Sequence, residues 1–179
     1  MFAQRKVKVA MSLLLSALGG MSVAAGWAAP AQAATVLAAS ADQRIRLSAA
    51  PTRVAIAPAT QAIGAQPLDA GNAGRVLLVL EGLSATLAPG ASYDVFLGPA
   101  AGAGPTRDDP GYAGTLNFYD ISAATPADAR VISFDVTSVL ARLRANGEIK
   151  NPLAVTFVPD APPQENSEPA VGRLRLITP

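Results

Sequence analysis

The sequence predicts an all-β fold: an antiparallel β-sandwich or jelly-roll-like body of about eight strands, with one short helix near 136–145. Three observations carry that prediction. Short runs alternate apolar and polar residues, as in Arg53-Val54-Ala55-Ile56 and Arg173-Leu174-Arg175-Leu176, and a period of two belongs to a half-buried strand. The chain's 15 glycines and 15 prolines fall largely between those runs, where they mark turns. One window alone, 136–145, changes to a helical period.

Taken in order, residues 1–33 read as a Sec-type export signal rather than as structure. Arg5, Lys6 and Lys8 make a positive start, residues 10–29 are uncharged and mostly apolar, and Ala31-Gln32-Ala33 supplies a small-residue cleavage site. The rival reading is an uncleaved anchor, since the apolar run is nearly long enough to span a bilayer. Gly19, Gly20, Gly26 and the cleavage site argue for removal. Localisation is then periplasmic or extracellular, with no membrane attachment after cleavage. Residues 34–42 are small and mixed and read as a flexible leader; 43–179 reads as a single β-sandwich domain.

Within that domain, 44–47 and 53–56 read as half-buried strands ended by Pro51 and Pro58. Residues 59–74 read as a long loop. Residues 76–80 form an apolar run between Gly74 and Gly82, short enough for a central strand. Leu87-Ala88-Pro89-Gly90 reads as a turn. In the next strand, 92–97, Tyr93, Val95 and Leu97 face one way while Asp94 and Phe96 face the other. Residues 98–111 are rich in Gly and Pro and read as an exposed loop. Strands follow over 113–119, with Gly114, Leu116 and Phe118 on one side, and over 130–134, separated by a loop around Pro126. Val136, Val139, Leu140 and Leu143 lie at helical spacing. Asp135 reads as the N-cap and Asn146-Gly147 as the left-handed C-cap. Residues 153–158 read as a strand and 159–169, with four prolines, as a loop. A closing strand over 171–177 puts Leu174 and Leu176 inward and Arg173 and Arg175 outward.

Composition excludes much chemistry. The chain has no Cys and no His, and its three Met, at 1, 11 and 21, all lie in the signal. Copper, zinc and iron sites draw mostly on imidazole, thiolate or thioether, so no cofactor and no metal is expected. Ser-His-Asp and Cys-His nucleophilic machinery is equally excluded. Without Cys there are no disulfides, and an exported domain must hold together by packing alone. The chain carries 14 Lys+Arg against 13 Asp+Glu; the signal holds three of those cations, so the remainder is slightly acidic. That is no footprint for nucleic acid or anionic lipid.

Carboxylates remain as candidates. Asp108-Asp109 is the obvious pair for glycoside hydrolysis or Ca²⁺. It sits in a Gly/Pro loop without an EF-hand pattern, and the plain reading is a solvated acidic turn. Of the aromatics, Tyr112 and Tyr119 at the ends of the 113–119 strand are placed to reach a surface; otherwise they are rim packing.

Five blocks in order resemble the C-terminal β-domain of the tyrosinase and polyphenol oxidase family. Arg75–Gly82 (RVLLVLEG) is similar to that domain's apolar strand ending in Glu-Gly. Ser92–Leu97 is similar to its "KFDVY" strand, with Ser92 and Tyr93 where Lys and Phe usually stand. YAGTLNF at 112–118, the helix-and-strand pair at 134–143 and 153–159, and the closing strand at 171–176 complete the match. In the family this domain follows a histidine-rich copper domain on the same chain, packs over its active-site entrance and keeps the enzyme latent. Here the histidines are missing. The resemblance therefore implies a free-standing, non-catalytic domain that binds, shields or assists a separate tyrosinase-like type 3 copper oxidase. The contact residues to test are Arg107, Asp108, Asp109, Tyr112 and Tyr119, on or beside loop 98–111, with 160–169 as a second loop. The alternative is a free-standing extracytoplasmic binding or structural module with no oxidase partner.

Overall fold

A computed structural model describes residues 34–59, 74–98, 104–119, 121 and 130–179. The proposed signal and most of the predicted 59–74 and 120–129 loops lie outside these residues. Among them, the turn-bounded apolar runs become strands β1 (Thr35–Ala39), β2 (Ile45–Arg46), β3 (Thr52–Pro58), β4 (Leu77–Glu81), β5 (Tyr93–Leu97), β6 (Tyr112–Leu116) and β7 (Val131–Asp135). The single helix α1 (Thr137–Ala145) follows, then β8 (Leu153–Pro159), β9 (Ala170–Val171) and β10 (Arg173–Thr178). The all-β class and the helix position are as the sequence predicts.

Eight strands form one sheet in the order β6-β5-β8-β3-β1-β10-β4-β7, and β2 pairs with β9 in a ribbon. The ladders are antiparallel. The sheet has two four-stranded halves joined at a narrow seam, where β1 meets β3 only through Ala38↔Pro58 and Ala39↔Ala57. The two layers are therefore one sheet rolled nearly into a barrel. Inward residues of both halves, among them Leu78, Leu80, Tyr93, Val95, Val155, Phe157, Leu174 and Leu176, are buried together in one core.

The outer strands β6 and β7 meet across that core at Gly114. A Cβ there would stand 2.6 Å from Cδ1 and 2.7 Å from Cε1 of Phe134 on β7. Gly114 thus leaves the space that the Phe134 ring occupies, and its φ of 150° is open to few other residues. Helix α1 buries Val139, Leu140 and Leu143. It ends in a Schellman arrangement: Gly147 at φ 68° donates to Arg144 O, and Glu148 donates to Leu143 O.

Four expectations are corrected. Residues 34–42 are not a flexible leader, because Thr35–Ala39 is strand β1, paired with β10 on one side and β3 on the other. Alanine favours strands little, and it is the two flanking strands that impose the conformation. Asp135 is the last residue of β7, and the N-cap position falls to Val136, which has no capping side chain. The Asp135 carboxylate still accepts the Thr137 amide at 3.1 Å and its hydroxyl at 2.7 Å. Strand β6 stops at Leu116, although Phe118 beyond it remains buried. The run 171–177 is broken at Gly172, whose amide donates to Glu81 O and leaves the ladder.

Candidate functional site

Of the five residues marked in the sequence, the structure gathers Arg107 and Tyr112 around a sixth, Asp94, while Asp109 braces the loop that carries Arg107. Strand alternation turns Asp94 to the outer face of β5 while Tyr93 and Val95 enter the core. Thr115 of β6 stands directly opposite in the ladder, and its hydroxyl donates to Asp94 Oδ1 at 2.6 Å. Tyr112 OH lies 2.8 Å from the same Thr115 oxygen. From the loop, Arg107 Nε donates to Asp94 Oδ2 at 2.9 Å. That hydrogen bond, with the nearby Asp94 charge, raises the Arg107 pKa above its usual value.

The loop is braced at further points. Asp109 Oδ2 accepts the Thr106 amide at 2.6 Å, and the Asp109 amide returns to Thr106 O at 2.9 Å. This is a four-residue turn closed in both directions, by its backbone and by the Asp109 side chain. Arg142 of α1 donates to Pro110 O at 3.2 Å. Gly111 lies hard against the Leu97 carbonyl, where no Cβ would fit. Tyr112 packs on Phe96 with ring centroids 5.5 Å apart. Phe96 points away from the core as alternation requires, yet is only 2% exposed.

Asp108 and Tyr119 are not drawn into this cluster. Asp108 is exposed. Tyr119, beyond the end of β6, is 82% exposed, an unusual position for so large an apolar surface. Of the Asp108-Asp109 pair, Asp109 commits Oδ2 to its own turn. Among the described residues no group of three or more His, Cys, Asp or Glu converges to hold a metal ion.

Sequence reasoning singled out nothing in the other half of the sheet, where a second polar cluster forms. Arg173 faces Glu81 across β10 and β4 and donates to its Oε2 from Nε at 3.0 Å and from Nη2 at 2.8 Å. Arg175 donates to Glu81 Oε1, and Arg173 Nη1 reaches Asp42 Oδ1 at 3.1 Å. Burial opposes ionisation of Glu81, but the hydrogen bonds and charges of Arg173 and Arg175 outweigh it and hold its pKa below the usual 4.5. Beside this network lies an open cleft of about 460 Å³. The outward alternation of Arg173 and Arg175 was legible; their acidic partner, some ninety residues earlier, was not.

Tyr93 carries a further unread feature. Its ring is buried edge-on to Phe118 at 6.0 Å, and its hydroxyl has no hydrogen-bond partner among the described residues. Burial, with the Asp160 charge, pushes its pKa above 10.0.

The family model for a domain of unknown function, DUF7868, matches residues 26–178. No curated protein matches the chain. Among solved structures, it is similar to a recombinant latent aurone synthase, a polyphenol oxidase, at 19% identity and a TM-score of 0.47. That match covers 83% of this chain and 26% of the other. It is also similar to a latent apple tyrosinase at 17% identity and a TM-score of 0.47, over 75% of this chain and 27% of that one. The chain thus spans about a quarter of the length of these solved structures. The likeness to polyphenol oxidases and tyrosinases read from the sequence recurs in them.

Proposed function

The chain belongs to the DUF7868 family, a domain of unknown function, and we propose that it works by contact, as an exported non-catalytic domain that binds, shields or assists a separate tyrosinase-like type 3 copper oxidase. The observation that carries this reading is the braced loop 104–112. A loop held by Arg107–Asp94, Arg142–Pro110 and the Asp109 turn loses little freedom on binding, and preorganisation of that kind converts contact area into affinity. It presents Asp108, while Tyr119 offers an aromatic anchor of the type that dominates protein interfaces. The ordered resemblance of five sequence blocks to the C-terminal domain of tyrosinases supports an oxidase of that kind as the partner. The lack of His and Cys leaves redox and metal chemistry to that partner.

Co-expression with an exported type 3 copper oxidase from the same source tests this. The two chains should co-purify, and the oxidase should show lower activity or better copper loading in the complex. Tyr119→Ala should weaken association by roughly tenfold or more, as truncation of an aromatic anchor does. Separate elution of the two proteins, with oxidase activity and copper content unchanged, would overturn the oxidase reading and leave a free-standing binding module.

A further inference from the structure

We propose that the cleft at the β4–β10 end of the sheet binds the carboxylate of a monoanionic, partly apolar ligand. This site lies in the other half of the sheet from loop 104–112, so it stands or falls separately from the reading above.

The cleft is built by register. Arg173 pairs with Glu81, and Glu81 pairs with Val131, so the three side chains form one row across β10, β4 and β7. The connection between β1 and β2 brings Asp42 and Arg44 alongside. Gly82 and Gly172 line the same cleft without side chains. Their backbones nearly touch, for a Cβ on Gly172 would stand 3.3 Å from Gly82 Cα. The space left is about 460 Å³, within the range of small-molecule pockets, roughly 300–1,000 Å³.

Charge decides the ligand class. Glu81 is satisfied by Arg173 and Arg175, and Asp42 by Arg173. Arg44 is exposed and makes no hydrogen bond or ion pair among the described residues. Arg175 does not line the cleft but bonds Glu81 from beside it, so Arg44, Arg173 and Arg175 together exceed Glu81 and Asp42 by one positive charge. One carboxylate neutralises that excess; a phosphate dianion would leave the cleft negative. The Asp42–Arg173 bridge is no obstacle. Its side chains are 80% and 42% exposed, and ion pairs so open to solvent contribute little. A ligand carboxylate can displace Asp42 and take charge-assisted hydrogen bonds from both Arg44 and Arg173. Val131, 56% exposed at the cleft wall, meets the apolar part of the ligand.

The carboxylate can come from a small acid or from a peptide C-terminus. Backbone amide NMR on the protein, with 3-methylbutanoate, the tripeptide acetyl-Ala-Ala-Val as free acid and as amide, and inorganic phosphate as probes, separates these sources. The expected result is saturable movement of the Gly82, Gly172 and Arg173 amides with carboxylate probes, and none with the peptide amide. Tighter binding of the free-acid peptide than of 3-methylbutanoate assigns the site to peptide termini; the reverse assigns it to small acids. Arg44→Gln, at an exposed position where folding is not at risk, should weaken carboxylate binding about tenfold. Asp42→Asn, which removes the competing carboxylate, should tighten it. No saturable carboxylate binding, phosphate binding as tight as carboxylate, or unchanged affinity in Arg44→Gln would each overturn the proposal.

Discussion

Replacing Gly114 by alanine tests how the rolled sheet closes. The new Cβ would sit 2.6–2.7 Å from two atoms of the Phe134 ring, closer than real Cβ atoms come. Phe134 belongs to the paired strand β7 and is partly buried against the core, so its ring has little room to retreat. Overpacking of this kind costs about 1–3 kcal/mol. The backbone at φ 150° adds a second cost, about 1–3 kcal/mol for a non-glycine residue in such a region. The sum, about 2–6 kcal/mol, is a large part of the stability of an ordinary domain. With a urea slope of about 2 kcal/mol/M, it lowers the unfolding midpoint by about 1–3 M. Urea titration followed by circular dichroism measures this directly. A Gly114→Ala/Phe134→Leu double variant separates the two costs. Leucine lacks the Cε1 that would stand 2.7 Å from the new methyl, and its methyl groups can turn away where a planar ring cannot, so the double variant should be less destabilised than the two single changes predict, by about 1–2 kcal/mol. A single variant within about 0.5 kcal/mol of the parent would refute the reasoning. So would a cycle with no coupling, since the ring would then not be what Gly114 makes room for.

Three further outcomes follow from the same geometry. Gly147→Ala should cost about 1 kcal/mol, all of it conformational, because a Cβ there meets nothing within 4 Å; a loss above about 3 kcal/mol would mean a missed contact. The pKa of Glu81 is below 4.5 when folded, so its contribution to stability is complete above that pH and is lost as pH falls through the lower folded value. Glu81→Gln should therefore flatten the acid limb of a stability–pH curve, and an unchanged limb would show that the arginine pair does not tune this carboxyl. Asp94→Asn should loosen loop 104–112, with faster amide exchange at Leu97, whose N–H donates to Gly111 O. The stability loss should stay near 1–2 kcal/mol, because the Arg107 side chain is 61% exposed and its ion pair is screened; unaltered exchange would show that Asp94 does not hold the loop.

The strands that alternate or run apolar between turn residues were legible because their signal is local. Tyr93, Val95 and Leu97 on β5 and Leu174 and Leu176 on β10 are buried as their period requires. Strand β1 was hidden for the opposite reason. Its TVLAA segment is too short and too rich in alanine to declare a period, and its conformation comes from β3 and β10, which arrive much later in the chain. Gly172 likewise reads as one more small residue in an alternating run until Glu81 O is placed against its amide.

The candidate site divides along the same line. Arg107, Asp109 and Tyr112 are conspicuous because they sit in or beside a Gly/Pro-rich loop, but the residue that joins Arg107 and Tyr112 to the sheet is Asp94. A signal for it existed. Aspartate is disfavoured within strands, and here it stands between two residues that are wholly buried. Its position is tolerable because Thr115 and Arg107 satisfy the carboxylate from both sides. The Glu81–Arg173–Asp42 cluster had no comparable local mark, since each member is an ordinary charge at a strand end or turn. Only the antiparallel order β1-β10-β4-β7 brings them together. Chemistry that depends on strand order is the part a single sequence conceals. An acidic residue interrupting an otherwise buried strand is the kind of local conflict that points toward it.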